Sequence, residues 1–192
     1  MLDIFKDFLL EVNKDLFKKG AYWTPTLATL GGDGLPQART VVLREIHKCF
    51  DTRKITFTFH TDTRSKKWAE LQQNPRSSLH FYCPKRRWQM RIGGSVNLIQ
   101  DEEKRQEIWV KTSPSSKEIY RLASAPGTPQ ESTKQAMSFV NSSKDGFTNF
   151  GVIEFKCDHF DSLKLLSRAS DSLYHERMSW CIKTNKLQIL VP

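Results

Sequence analysis

Near the N-terminus the apolar positions Phe5, Leu9, Val12 and Leu16 recur at spacings of four, three and four. That is the stripe of one helical face. The pattern predicts an amphipathic helix that ends before Gly20 and packs as a lid on the rest of the chain. Two apolar runs follow, 23–30 and 38–43, separated by Gly31, Gly32, Asp33 and Gly34. Glycine enters positive φ at little cost, so this gap predicts a tight hairpin. The period then changes to two. Ile55, Phe57 and Phe59 alternate with Thr56, Thr58 and His60, and Leu79, Phe81, Cys83 and then Trp88, Met90, Ile92 repeat the alternation. Each segment reads as a strand with one buried face. Between the first two of these strands, 63–73 carries Trp68 and Leu71 three apart and reads as a short helix stopped by Asn74-Pro75.

Asp101, Glu102 and Glu103 open a further helix, because acids suit the positive end of the helix dipole, and it should run to about Lys111. From 113 to 144 the sequence turns polar and Pro-, Gly- and Ser-rich, which predicts one or two short helices in a surface excursion. Strand character resumes at 150–155, 162–166, 179–183 and 187–191. About six short antiparallel strands with few helices between them describe a small closed or nearly closed β-barrel better than a doubly wound sheet. The expected class is therefore mainly β with peripheral helices (α+β). A single domain over 1–192 is expected, with a polar, partly helical excursion at about 101–147.

Composition narrows the function classes. The 192 residues include 30 Lys plus Arg against 21 Asp plus Glu, a net charge of +9. Twelve Phe and five Trp supply a real core and exclude wholesale disorder. The first thirty residues are interrupted by charges, so neither a signal-peptide core nor a membrane span is expected, and a cytoplasmic location follows. Cys49, Cys83, Cys157 and Cys181 are far apart with no C-x-x-C pair and read as reduced thiols. The five His show no ligand spacing stronger than Cys157-x-His159, so no metal site is expected. Dinucleotide-fold, P-loop, zincin and serine-hydrolase motifs are absent from the sequence. Basicity selects anionic partners without choosing between a phosphate-bearing small molecule and nucleic acid.

Three segments carry candidate chemistry. The first is Arg39-Thr-Val-Val-Leu-Arg44, a β-branched run with a guanidinium at each end. In a regular strand a separation of five puts Arg39 and Arg44 on opposite faces, so they suit two ends of one ligand, or two ligands. In the second, 57–67, a strand runs through a turn into a helix that starts Ser65, Lys66, Lys67. A helix start already attracts phosphate through its free N–H groups, and two cations plus a hydroxyl strengthen that site. In the third, 85–94, Trp88, Met90 and Ile92 alternate with Gln89 and Arg91. Gln89 can donate to and accept from a heterocycle edge, whereas Arg86, Arg87 and Trp88 could instead hold single-stranded nucleic acid. Solvated surface charge remains an alternative for each segment. Periodicity does not separate a flavin-binding split barrel from an oligonucleotide-binding barrel.

The ordered set "RTVVLR", "FTFHTDTRSKKWAELQQNP" and "RWQMRIGG" resembles the pyridoxamine 5′-phosphate oxidase-like flavoproteins, FMN-binding split β-barrels that are usually homodimers. Their pattern reads R-x-V-L-L-K, then F-Y-T-N-x-x-S-R-K-x-x-x-L-x-x-N-P, then R-Q-V-x-x-x-G. Each piece alone is weak; the set, over about 20–100, is fairly specific. The resemblance implies that Arg39, Ser65, Lys66 and Lys67 surround the FMN phosphate. His60 and Thr61 match the Y-T pair, and Thr40, Val41, Val42 and Leu43 belong to the cofactor strand. Gln89 matches the glutamine at the flavin ring, and Arg44 stands where the family has a lysine near the substrate phosphate. The substrate segment Y-x-x-x-R-P-x-x-S is replaced by "WVKTSPSSK", with Trp109, Ser113 and Lys117 in its marked positions. The family's R-x-H has no clear counterpart in "KCDHFDSLKLL", and its Q-S pair is lost at Pro126-Gly127.

The resemblance therefore implies an FMN-binding split-barrel oxidoreductase, a homodimer with FMN at the subunit interface, acting on a small-molecule redox substrate. True pyridoxamine-phosphate oxidase activity is disfavoured, since a Ser cannot replace the bidentate grip of an Arg. Two other classes stay open: a non-catalytic single-stranded nucleic-acid barrel, and an FMN carrier or sensor without turnover.

Overall fold

The structure is a computed structural model that describes residues 3–49, 53–139, 146–165 and 175–192. Helix α1 (Asp3–Lys18) buries Phe5, Phe8, Leu9 and Val12, and Leu16 packs at the margin of the same core. The helix stops where its sequence demands. Lys19 takes a φ of 52°, and a Cβ on Gly20 would lie 2.0 Å from the Asp15 carboxylate, which accepts the Tyr22 N–H at 2.9 Å.

The strands are β1 (Thr26–Leu30), β2 (Pro36–Thr40), β3 (Leu43–Cys49), β4 (Lys54–Asp62), β5 (Arg76–Cys83), β6 (Trp88–Leu98), β7 (Phe150–Lys164), β8 (Glu176–Cys181) and β9 (Lys186–Leu190). All pairings are antiparallel. The order β2-β1-β5-β6-β7-β4-β3 forms the main path, with β8 on β7 and β9 on β8. The architecture is thus mostly antiparallel sheet with a few helices, as expected. The expected hairpin at 31–34 is present, with Gly34 at φ 78° and its N–H donating to Gly31 O at 2.9 Å.

Two readings of the pattern are corrected. The run 38–43 is two strands rather than one. β2 and β3 sit at opposite ends of the main path, joined through Val41 and Val42. The Val41 N–H donates to Pro25 O and the Leu43 N–H to Trp23 O, so the chain itself bridges the two edges. The sheet is therefore not closed by a ladder.

The segments 150–155 and 162–166 are parts of one 15-residue strand, β7, residue 166 lying outside the described residues. The buried set on β7 runs Ile153, Phe155, Cys157 and then Phe160, Ser162. That is a slip of one residue at Asp158, opposite the Gly93/Gly94 irregularity of β6. A bulge inserts an unpaired residue and inverts the alternation, so a period-two reading breaks the strand there. The same point splits the sheet: β4 pairs with 150–156 and β8 with 159–164 along one edge of β7.

Helix α2 (Lys66–Gln73) lies against β1 and buries Trp68 and Leu71. The main core places the Phe8 ring against Tyr22, Phe81 and Trp88, at 5.3, 5.3 and 5.9 Å. Helix α3 (Glu102–Lys111) starts at the N-cap Asp101, whose carboxylate accepts the Lys104 N–H. A second, smaller cluster of Ile99, Trp109, Tyr120, Phe150 and Val152 forms under α3. Beyond it the polar stretch holds α4 (Pro114–Lys117), a 3₁₀ turn (Glu118–Arg121) and α5 (Thr133–Ala136); its end, 140–145, lies outside the described residues. No helix among the described residues is long and apolar enough to cross a membrane.

Candidate functional site

The turn between β4 and α2 gathers most of the predicted residues. Thr61 and Ser65 are buried. Ser65 is the N-cap of α2, yet its hydroxyl does not cap the helix; it donates to Asp62 O at 2.6 Å and lies 3.4 Å from Thr61 Oγ1. The first N–H groups of α2 therefore keep no side-chain partner from Ser65, which leaves donors for an anion. Lys67 turns back over this turn, and its Nζ donates to Thr61 Oγ1 at 3.1 Å. Burial first, and Arg39 second, lower the Lys67 pKa from its ordinary value, while Asp62 and Glu70 oppose the shift. Among the described residues this ammonium is bonded to a hydroxyl and to no carboxylate, so it is short of counter-charge.

Arg39 reaches the same place from β2. Its register partner is Leu27 on β1, so it lies on the core-facing side of that edge, beside α2. Its Nη2 donates to Glu70 Oε2 at 2.7 Å and its Nη1 to Thr29 Oγ1. Lys66 is exposed and, with Gly31, Gly32, Gln37, Glu70 and Gln73, lines a neighbouring cleft. Thr40 is exposed, Val42 is partly buried, and Val41 and Leu43 belong to the core.

Arg44 and His60 lie apart from this cluster, around the second core. The His60 ring meets Phe150 edge-on at 4.9 Å, and its Nδ1 is buried without a hydrogen-bond partner. Burial, helped by Arg44, pushes the His60 pKa down to about 4, so the ring is neutral at pH 7. Arg44 is exposed and acts electrostatically on both His60 and Tyr120. Burial raises the Tyr120 pKa to about 12. Trp109 is packed, not presented: it is 3% exposed, with Phe150, Tyr120 and Phe147 at 5.0, 5.7 and 6.1 Å. The Lys117 Nζ sits 5.1 Å from the Trp109 ring centroid.

Gln89 points away from the Arg39 cluster. Trp88 and Met90 are buried, so Gln89 occupies the opposite face of the sheet, where its Oε1 accepts from His80 Nε2 at 3.2 Å. One register step away Asp161 holds Arg91 at 2.6 Å and Arg177 at 3.0 Å. Within one chain, then, Arg39, Thr61, Ser65 and Lys67 come together and Gln89 does not join them. Trp88, at 6% exposure and donating to Ser162 Oγ at 2.7 Å, offers no surface ring for a base to stack on.

Two groups in this region are not evident in the sequence pattern. Glu70 and Thr29 brace Arg39; Glu70 is buried on α2 along with Trp68 and Leu71, and no helical spacing with those apolar residues marks it in the sequence. Arg64 binds the Asp62 carboxylate at 2.7 Å and donates to Leu122 O and Ala123 O at 3.1 and 3.2 Å, which ties the polar stretch to the back of the turn. A residue whose partners lie some sixty positions away has no local signature.

Residues 5–100 match the family described as pyridoxamine 5′-phosphate oxidase, FMN-binding domain. A pyridoxine/pyridoxamine 5′-phosphate oxidase from Azorhizobium caulinodans is 37% identical over 106 residues, which is 55% of this chain and 46% of that protein. One of the same description from Leptospira interrogans is 34% identical over 124 residues, 65% of this chain and 52% of that one. The chain thus spans about half the length of these relatives. Among solved structures, a pyridoxamine 5′-phosphate oxidase-related, FMN binding protein from Nostoc punctiforme superposes with a TM-score of 0.74 at 23% identity, covering 97% of this chain and 96% of that one. PhzG from Burkholderia lata, solved in complex with tetrahydrophenazine-1-carboxylic acid, gives 0.72 at 17% identity, covering 100% and 92%. At these identities the likeness shows the fold, a split barrel.

Proposed function

The chain belongs to the pyridoxamine 5′-phosphate oxidase FMN-binding domain family, and on that premise we propose that it binds FMN, with the phosphate at Arg39, Ser65, Lys66 and Lys67, as a flavin-dependent oxidoreductase. The observation that carries the reading is the under-compensated ammonium of Lys67, beside Arg39 and the α2 N-terminus. A phosphate dianion fits that donor set: it supplies the missing negative charge and accepts from guanidinium, ammonium, hydroxyl and backbone N–H groups together. Bound FMN supplies the redox chemistry. The chain's own residues bind, orient and exclude water. Thr61 holds the Lys67 amine in place, and Ser65 and Asp62 fix the turn. His80, by donating to the Gln89 carbonyl, leaves the Gln89 amide N–H groups free to meet a ring edge.

We further propose that the working unit is a homodimer with FMN between two copies. Arg39 and Gln89 occupy opposite faces of one sheet, which argues that a single flavin meets them from two chains. The outer face carries Tyr82, His80 and Arg91 beside Gln89 and, towards β1 and β2, the small side chains Thr26, Ala28, Ala38, Thr40 and Ser78, which let a second sheet approach closely there. Lys117, held against the packed Trp109 ring, belongs to the segment on which a substrate different from pyridoxamine phosphate would depend.

The test is titration of the purified protein with FMN and with riboflavin, followed by flavin fluorescence quenching, together with light scattering. Tight FMN binding, much weaker riboflavin binding and a mass twice 22.3 kDa are expected. Equal affinity for the two flavins would remove the phosphate from the argument, and no binding of either would remove the function.

A further inference from the structure

A buried carboxylate stands inside this basic site. Glu70 lies one turn after Lys66 and Lys67 on α2, its side chain 10% exposed. Its Oε2 accepts from Thr29 Oγ1 at 2.6 Å and from Arg39 Nη2 at 2.7 Å, while Arg39 Nη1 donates to Thr29 Oγ1. Guanidinium, hydroxyl and carboxylate form a closed triangle. Only part of the guanidinium's donor set is used in it, and the remaining N–H groups are available to a ligand.

The placement of Arg39 makes this bracing consequential. β2 pairs with β1 alone, so Arg39 extends from an edge strand, and a long side chain there would have to be immobilised at the moment a ligand binds. A carboxylate facing an anion site is also a repulsive element, so its presence calls for a compensating role. We propose that Glu70, braced by Thr29, is a positioning residue for the phosphate site: it holds Arg39 in its binding geometry before the ligand arrives, so that the unused donors meet the phosphate without rearrangement. This rests on the FMN reading above.

The experiment is a double-mutant cycle on FMN affinity, read by fluorescence quenching, with wild type, Glu70→Ala, Arg39→Ala and the double variant. Thermal melting of each ligand-free protein reports folding separately. Glu70→Ala is expected to weaken FMN about tenfold in the wild-type background and less than about twofold once Arg39 is gone, because orientation of an absent guanidinium is worth nothing. Glu70→Gln, which keeps an acceptor oxygen, should recover most of the loss. Thr29→Val removes the brace while leaving the carboxylate, and should weaken FMN only where Arg39 is present; it carries the test if Glu70→Ala fails to fold. Unchanged or tighter FMN binding by Glu70→Ala, an equal loss in the Arg39→Ala background, or no recovery with Gln overturns the proposal. If wild type binds FMN and Arg39→Ala loses it while Glu70→Ala does not, only the role of Glu70 fails. If wild type does not bind FMN, the functional reading fails first.

Discussion

Lys67→Met separates the two consequences of burying a cation in a ligand site. The substitution keeps the length and apolar stem of the side chain and removes the charge that burial disfavours. Toward FMN, it deletes a charge-assisted hydrogen bond worth about 1.5–3 kcal/mol, which is about 13- to 160-fold in Kd. Toward the ligand-free fold it acts in the opposite direction. A lysine with a folded pKa below 10.5 binds fewer protons in the folded than in the unfolded chain between those two values, so wild-type stability rises with pH through that window. Below the lowered pKa the full penalty is present, and there the Met variant should be more stable by about 1 kcal/mol, the usual scale for relieving a functional-site conflict. For a chain of this size that is about 2–4 °C in melting temperature. The stability advantage should shrink as pH climbs toward 10.5. FMN affinity of wild type should fall as pH rises through the lowered Lys67 pKa, because the phosphate favours the protonated amine; the Met variant should lack that dependence. Melting curves and FMN titrations from pH 7 to 10 check both. A variant that is less stable at pH 7 and binds FMN as well as wild type would refute the assignment of Lys67.

Three further outcomes test the fold around the site. Phe8→Ala, at 0% exposure and with three aromatic neighbours, should cost about 3–5 kcal/mol in urea unfolding; a loss below about 1 kcal/mol would mean that α1 does not close the core. Gly20→Ala should cost about 1–3 kcal/mol, since its Cβ would meet Asp15 at 2.0 Å and break the bond to the Tyr22 N–H; a neutral result would show that the α1 end relaxes freely. Arg64→Ala leaves the Asp62 carboxylate, 5% exposed, without its ion pair, so a loss of about 1–3 kcal/mol is expected. Faster amide exchange at Tyr120 and Ala123 should accompany it, and unchanged exchange there would mean that Arg64 does not tether the polar stretch.

How far the sequence could be read depended on whether the interaction was local. The stripe of α1, the turn at 31–34 and the alternation of β4, β5 and β6 rest on neighbouring residues, and each lies close to where the pattern puts it. The apolar pattern divides β7 because one bulge residue, Asp158, inverts its phase, and it merges 38–43 because nothing local says that a strand crosses from one sheet edge to the other at Val41-Val42. The site divides in the same way. Ser65, Lys66 and Lys67 are legible because a helix start gives them meaning; Thr29, Glu70 and Arg64 take theirs from partners forty to sixty residues away. Resemblance grouped Gln89 with Arg39, whereas strand parity places them on opposite faces.

The ion pairs sort the basic side chains into those a carboxylate answers and those it does not. Many of the basic side chains around the barrel are answered by a carboxylate: Arg86 by Glu11, Arg76 and Lys183 by Asp158, Arg91 and Arg177 by Asp161, Lys104 by Glu154 and Arg64 by Asp62. Apart from the buried Asp62 carboxylate and its Arg64, these exposed pairs contribute little energy each, but they remove those cations from the field an approaching anion meets. Arg44, Lys66 and Lys67 have no carboxylate bonded to them among the described residues, and Arg39 shares its own with Thr29. A net charge of +9 would suit a polyanion if it were spread along a stripe. Among the described residues, unanswered cations are also spread over the rest of the surface, Lys18, Lys54, Lys111, Lys134 and Lys186 included, so the total charge does not choose the ligand; the local set of Arg39, Lys66 and Lys67 at one turn and one edge strand is what suits a compact dianion. Arg44, beside His60 and Tyr120 and apart from that set, is therefore the control: Arg44→Ala should leave FMN affinity within about twofold in the same titration, and a loss as large as that of Lys67→Met would mean that the phosphate site extends to the second core.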